Sequence, residues 1–217
     1  MMLYSHLAVA SKLEAYFRPR QYDEYYLGSI FPDIRYVLSL PRQHTHLSMK
    51  KMNSYYNPSL RDFIAGFQTH IAADNVSLTN YILTSFPKRI IKLILPSVAL
   101  PVILEIYFLN KCQLHPTLSY STNEVTKALD ISDKQLEEFT GFVSSFLSEP
   151  SIENGIKLLG SLSTKRNEII RRYIRWAKLV NKLPFVRNFL LNSVDENKLI
   201  EDIRTIIKYQ QYTTEVI

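Results

Sequence analysis

Apolar residues recur along the chain at intervals of three and four, while strict alternation does not recur. That rhythm belongs to amphipathic helices rather than to strands. Leu7, Ala10, Leu13 and Phe17 mark one face of a first helix, with Ser5 placed to cap it. Asn57 and Pro58 read as a cap followed by a first-turn proline. The helix they open is expected to run through Leu60, Phe63, Ile64, Phe67 and Ile71 to about Asp74, with another following to Phe86 and ending at Pro87. Three capping boxes, Ser121 with Glu124, Ser132 with Gln135 and Ser193 with Glu196, announce later helices. Ser163 or Thr164 opens a long basic helix over 165–182, stopped by Pro184. Its apolar side holds Ile169, Ile170, Tyr173, Ile174, Trp176, Ala177 and Val180. No internal repeat or low-complexity tract interrupts the pattern. The fold class expected is all-α.

The joints are less regular. Residues 27–40, LGSIFPDIRYVLSL, contain Gly28 and Pro32 and read as a loop entering a helix. Residues 42–48 and 111–120 read as loops as well. The run LILPSVALPVILEIYFL, residues 93–109, is apolar but carries two prolines and a glutamate. It falls short of the roughly 20 apolar residues a spanning helix needs. A buried, proline-broken core segment is expected, with a lipid-touching element as the alternative.

Composition sharpens this picture. Five glycines in 217 residues favour helices over tightly turning strands. The length suits a single all-helical domain, with residues 1–112 as one half and 113–217 as a helical extension carrying the basic helix. Cys112 is the only cysteine, which excludes an internal disulfide and a cysteine-based zinc site. The N-terminal residues lack the basic start and apolar run of a secretory signal, so a cytoplasmic protein is expected. Net charge is +6, and the surplus sits mostly in 165–187. Arg171, Arg172, Arg175 and Lys178 form the polar side of that helix beside Trp176, the single tryptophan. Such a face can lie on an anionic membrane, follow a nucleic-acid backbone, or simply be solvated; nucleic acid is the weaker of the two partners.

Histidines stand at 6, 44, 46, 70 and 115, four of them within the first 70 residues. In GFQTHIAAD, residues 66–74, His70 and Asp74 lie one helical turn apart, with Cβ atoms about 6 Å from each other. They can therefore share one ion. Gly66, a turn earlier on that face, leaves room for another backbone or a substrate. The same spacing also fits a partly buried core histidine, since Phe67 and Ile71 bracket it. Asp33 directly follows Pro32 and is either an aimed ligand or a helix cap. Of His44 and His46, on opposite sides of an extended loop, one can point inward.

The ordered set of pieces resembles the zinc-dependent phospholipase C family. The pieces are His6; Leu27-Gly28-Ser29-Ile30-Phe31-Pro32-Asp33; Thr45-His46; and Phe63-Ile64-Ala65-Gly66 through His70 to Asp74. The resemblance covers about residues 1–86. It implies an all-helical bundle, shared with zinc-dependent single-strand nucleases, whose site hydrolyses phosphodiesters with up to three zinc ions. Carried over, it makes Asp33, His46, His70 and Asp74 the ligands of one zinc. His6 would contact a second ion, with Asp74 as the bridging carboxylate. The resemblance prefers His46 to His44, because the family's loop reads Thr-His followed by an apolar residue, as Thr45-His46-Leu47 does here. The family's later His-x-x-x-Glu has no counterpart after Asp74, and His115 is the only later histidine. One or two ions are therefore expected. Asp33 would act as ligand and general base, and Arg35 and Arg42, unless ordinary surface arginines, would hold phosphate oxygens. Tyr25, Tyr26 and Tyr36 would line a substrate groove or pack in the core. Glu14 and Asp62 would orient an imidazole or be solvated. The function implied is hydrolysis of a phosphodiester, in a phospholipid or related phosphate ester. The alternatives are a helical metal-binding protein with little catalysis, or a basic nucleic-acid-binding protein.

Overall fold

The computed structural model describes residues 3–84, 89, 95, 99–114, 116, 118, 124–162 and 168–215. The fold is all-α. Among the described residues there is no strand, only an isolated antiparallel bridge between Ile82 and Val194. The first half holds α1 (Leu3–Phe17), α2 (Tyr22–Ile30), a 3-10 turn (Phe31–Asp33), α3 (Ile34–Leu38), α4 (Arg42–Thr45), α5 (Met49–Asn53) and α6 (Arg61–Asn75). Then come α7 (Ala99–Lys111), α8 (Glu124–Ala128), α9 (Asp133–Leu147), α10 (Ile152–Leu162), α11 (Glu168–Lys182), α12 (Pro184–Asn192) and α13 (Glu196–Glu215).

Two apolar clusters organise these helices. The larger gathers Tyr4, Leu7, Tyr25, Leu27, Phe31, Phe63 and Phe67 with Leu104 and Phe108 of α7, Phe139 of α9, and Leu199 and Ile203 of α13. The smaller lies on the other side of α7, where Val102, Ile103 and Ile106 meet Tyr173, Ala177, Val180 and Leu190. A helix buried on both sides must be apolar all round. This accounts for the apolar character of 99–109, and no helix among the described residues is long and apolar enough to cross a membrane. Pro101 sits in the first turn of α7, where no intrahelical donor is lost. The two halves of the chain interlock, since α13 packs on α1 and α6, and α7 packs on α1, α11 and α12.

Several local expectations are corrected. Gly28 is helical, inside α2, rather than in a loop. Arg42–Thr45 forms one helical turn before the chain opens at His46. The helix expected to reach Phe86 is absent over 76–84, which hold a short 3-10 turn and the Ile82 bridge. Ser5 lies within α1 and caps nothing. Ser193 is not the cap of α13; Asp195 is, its carboxylate accepting from the Lys198 amide at 3.1 Å. Pro184 ends α11 as expected but also starts α12 at once. The Ser132–Gln135 capping box is present in full, and Asn57 Oδ1 accepts from the amides of Ser59 and Leu60. Ser121, Ser163, Thr164 and His115 lie outside the described residues.

Candidate metal centre

Helices α2 and α6 approach each other closely. A Cβ on Gly66 would stand 1.9 Å from the Tyr25 carbonyl oxygen, and one on Gly28 would stand 2.0 Å from that of Phe63. The two glycines thus face each other's helix, and the room foreseen at Gly66 is filled by backbone. This contact carries the Ser29 carbonyl to His70, whose Nδ1 lies 2.8 Å from it. A carbonyl only accepts, so Nδ1 carries the proton and Nε2 presents a lone pair. Nε2 is buried without a hydrogen-bond partner and lies 3.8 Å from Asp74 Oδ2, one turn on along α6.

Three further elements converge on the same place. From α1 comes His6, buried, its ring stacked on His70 with centroids 3.7 Å apart. Its Nδ1 is 3.1 Å from Asp33 Oδ2, and its Nε2 is 3.4 Å from Asp74 Oδ1. Asp33 is supplied by the 3-10 turn and is also buried. His46, just past α4, places Nε2 3.2 Å from Asp74 Oδ2 and Nδ1 3.1 Å from the buried Thr45 hydroxyl. His44 is exposed. All five expected ligand residues therefore meet in one cluster. Ligand atoms of His6, Asp33 and His70 lie within 4.8 Å of one another, as do those of His46, His70 and Asp74. The grouping differs from the one the resemblance implied, because Asp33 falls with His6 rather than with His46.

The dimensions suit a cation. Two ligands at zinc bond lengths and a tetrahedral angle stand about 3.4 Å apart. Separations of 3.2, 3.4 and 3.8 Å from the Asp74 oxygens to three imidazole nitrogens bracket that value. The electrostatics point the same way. Burial alone would raise the Asp74 carboxyl, but hydrogen bonds from His46 and His6 pull it far below the ordinary range. Burial also raises Asp33, which the charge and hydrogen bond of His6 outweigh, so its carboxyl is lowered too. Burial and the neighbouring His6 hold His70 down at about 3, a neutral ligand at any ordinary pH. Burial would lower His6 as well, yet Asp33 and Asp74 raise it overall. Two carboxylates thus compete for whatever positive charge enters the cluster.

Arg42 reaches the rim, with one guanidinium nitrogen 2.8 Å from Asp74 Oδ2 and its side chain about half exposed. Arg35 is turned aside, its guanidinium 4.2 Å above the Tyr36 ring and its nitrogen bonded to the Tyr36 hydroxyl. That phenol is pushed up to about 12 by burial and by the nearby Asp33 carboxylate. Neither Glu14 nor Asp62 orients an imidazole. Glu14 accepts from the Tyr26 hydroxyl, and Asp62 accepts from the amides of Arg20 and Gln21 ahead of α2. Tyr25 and Tyr26 are core residues. An open groove of about 380 Å³ between Tyr56, Gln68 and Gln210 has none of the cluster in its lining.

One functional residue escaped the sequence reading. Glu105, fully buried on α7, accepts from the Tyr4 amide at 2.9 Å and from the Ser5 amide at 2.8 Å, and also takes the Ser5 hydroxyl. It caps α1 from a hundred residues away, immediately before His6. A carboxylate inside an otherwise apolar run was the available signal, since a buried charge demands partners. No family model, curated protein or solved structure matches the chain.

Proposed function

We infer that the cluster of His6, Asp33, His46, His70 and Asp74 holds one or two zinc ions and that the protein hydrolyses a phosphodiester. The observation that carries this is the buried Nε2 of His70, without a hydrogen-bond partner and 3.8 Å from the Asp74 carboxylate, with His6 Nε2 3.4 Å from the same carboxylate. An imidazole nitrogen with no hydrogen-bond partner beside a carboxylate is costly unless a cation joins them. Zinc bound there would supply Lewis acidity to a phosphoryl oxygen and a water acidified towards neutral pH. His70 is held for ligation by the Ser29 carbonyl, and His46 by the Thr45 hydroxyl. Arg42 contacts Asp74 through one nitrogen and is about half exposed, so its other N–H groups would donate to a phosphate oxygen bound at the rim. Asp33, bound to His6 through Oδ2, is the group that takes the proton of the attacking water. The substrate is a phospholipid or a related phosphate ester.

A second reading rests on burial. His6, His70 and Asp33 are almost wholly enclosed, and closed sites are structural more often than catalytic. In that reading the metal ties α1, the 3-10 turn and α6 together without turnover. Elemental analysis of the purified protein, paired with hydrolysis of bis(p-nitrophenyl) phosphate with and without chelator, separates the two. Chelator-sensitive turnover with bound zinc supports the hydrolase. Stoichiometric zinc without turnover supports the structural site. No zinc retained after equilibration and dialysis removes both.

A further inference from the structure

Beyond residue 112, four of the five exposed large apolar side chains among the described residues cluster at one corner of the molecule; the fifth, Tyr209, lies on α13. Phe185 is 86% exposed, Phe189 47%, and Leu179 and Leu183 45% each. They occupy the end of α11, the start of α12 and the one-residue joint between them. Phe185 and Phe189 are four apart and share a side of α12, while Leu179 stands in the last turn of α11 and Leu183 is the joint itself. The joint is tight, the Leu183 amide bonding back to the Val180 carbonyl at 3.2 Å. Phe185 therefore stands on a rigid tip rather than on a trailing loop.

Charge is concentrated around this tip. Residues 168–192 contain six Lys or Arg and one acidic residue, giving five of the chain's six net positive charges. The one acid, Glu168, is engaged by Arg172. By helical spacing Arg171, Arg175, Lys178 and Lys182 form one column, and Leu179 lies in the next. The opposite side of α11 is occupied, because Tyr173, Ala177 and Val180 are buried against α7. The basic and apolar groups together are thus the outward face.

We propose that the α11–α12 corner docks on an anionic lipid bilayer, with Leu179, Leu183, Phe185 and Phe189 entering the acyl boundary and the lysine–arginine column resting on the headgroups. Adjacent cationic and bulky apolar side chains on one helix face are what interfacial binding uses. A second copy of the chain would bring this concentrated positive charge against its equal. A nucleic-acid backbone would meet the charges but leave two leucines and two phenylalanines without a role. The face is peripheral, not spanning, since no described helix can cross a membrane. It also lies apart from the histidine cluster, as α11 and α12 pack on α7, so the docking does not depend on the proposed chemistry.

The test uses the full chain and sedimentation with vesicles of phosphatidylcholine alone or with about 30% phosphatidylserine. Binding is expected to the anionic vesicles only, unchanged by chelator and weakened by salt. Phe185→Ser combined with Leu183→Ser is expected to lower the partition coefficient on the order of tenfold or more, given the apolar area removed from the boundary. Lys178→Glu with Lys182→Glu is expected to abolish the preference for anionic lipid. These side chains are exposed, and circular dichroism should remain that of the parent. Absence of binding, equal binding to neutral vesicles, or indifference to the Phe185 and Leu183 changes would overturn the proposal. So would tight binding to a single-stranded oligonucleotide that displaces vesicles and ignores Phe185→Ser, or a dimer in solution that Phe185→Ser dissociates.

Discussion

Replacing Gly66 with alanine adds one methyl group where α6 meets the backbone of α2. That methyl carbon would sit 1.9 Å from the Tyr25 carbonyl oxygen and 2.8 Å from the Ser29 amide nitrogen, where ordinary contact begins at 3.4 Å. The shortfall against Tyr25 is 1.5 Å, and both neighbours are backbone, so no side chain can rotate away. Helix α2 must retreat from α6. Overpacking of this kind costs about 3 kcal/mol at the upper end of its usual range. Alanine returns about 1 kcal/mol through its better helix propensity. The net is a loss of about 2 kcal/mol, which for a chain of this size lowers Tm by roughly 4–8 °C. The retreat also draws the Ser29 carbonyl away from His70 Nδ1, now 2.8 Å distant, and loss of such an orienting bond weakens metal binding about 10–100-fold. Gly141 provides the control. It is helical, exposed, and has nothing within 4 Å of its would-be Cβ, so Gly141→Ala should raise Tm by roughly 2–4 °C. Thermal melts in chelator and zinc titrations of both variants check the argument. A Gly66→Ala protein that melts with the parent and binds zinc as tightly would refute the claim that this contact builds the site.

Glu105→Gln keeps the shape but turns an NH2 group towards at least one of the three donors that the carboxylate now accepts. We expect a loss of about 2–3 kcal/mol in denaturant unfolding, and weaker zinc binding through the displaced start of α1. His70→Ala should lose bound zinc by elemental analysis, and its melting temperature should no longer respond to chelator as the parent's does. Burial raises Glu196, but hydrogen bonds from Lys12 and Tyr107 outweigh this and leave its carboxyl lowered. The Lys12–Glu196 contribution is therefore complete above the ordinary carboxylate value of 4.5 and disappears as pH falls through the lowered one. With Lys12 44% exposed the effect is under about 1 kcal/mol, and Glu196→Gln should flatten the acid limb of the stability curve by that amount.

The helices with unbroken three-and-four spacing were legible because the core they bury against imposes that spacing. The first helix, α6, α9 and the basic α11 all follow it. That the residues of the candidate cluster meet was legible for a different reason: chemistry-bearing side chains in a fixed order stand out even when each motif is short. What sequence could not supply is anything decided by a partner far along the chain. Ser5 has the residue type of a cap, yet Glu105 takes that role from α7 and draws Ser5 into the helix. Gly28 and Pro32 together read as a loop. In the fold Gly28 is helical because only hydrogen can face the Phe63 carbonyl, and Pro32 merely tightens the turn after α2. Ser193 lost its cap to Asp195, two residues on, once the Ile82–Val194 bridge had fixed where the chain turns. The exposed corner at Phe185 was missed because Pro184 was read only as a stop, although proline begins helices as readily as it ends them.

Most of the devices that hold the cluster are not among its candidate ligands. Glu105 fixes the turn that presents His6, and the facing glycines fix the separation that brings Ser29 to His70. Thr45 fixes the ring of His46. Among the candidate ligands, Asp33 holds His6 through Nδ1, and Asp74, which meets three imidazoles, is itself steadied by Arg42 at the rim. Such a division has an energetic reason. Bringing two carboxylates and three imidazoles together in a poorly solvated space is unfavourable until a cation arrives, so the surrounding packing must hold them in place beforehand. The α2–α6 contact and the α7 core supply that packing and are apolar or backbone in character, insensitive to whether an ion is bound. The cluster is thus prepared by the fold, whether or not an ion is bound. It follows that chelation should loosen the ends of α1 and α4 near His6 and His46 while leaving the α2–α6 contact protected, a pattern that amide hydrogen exchange reads directly.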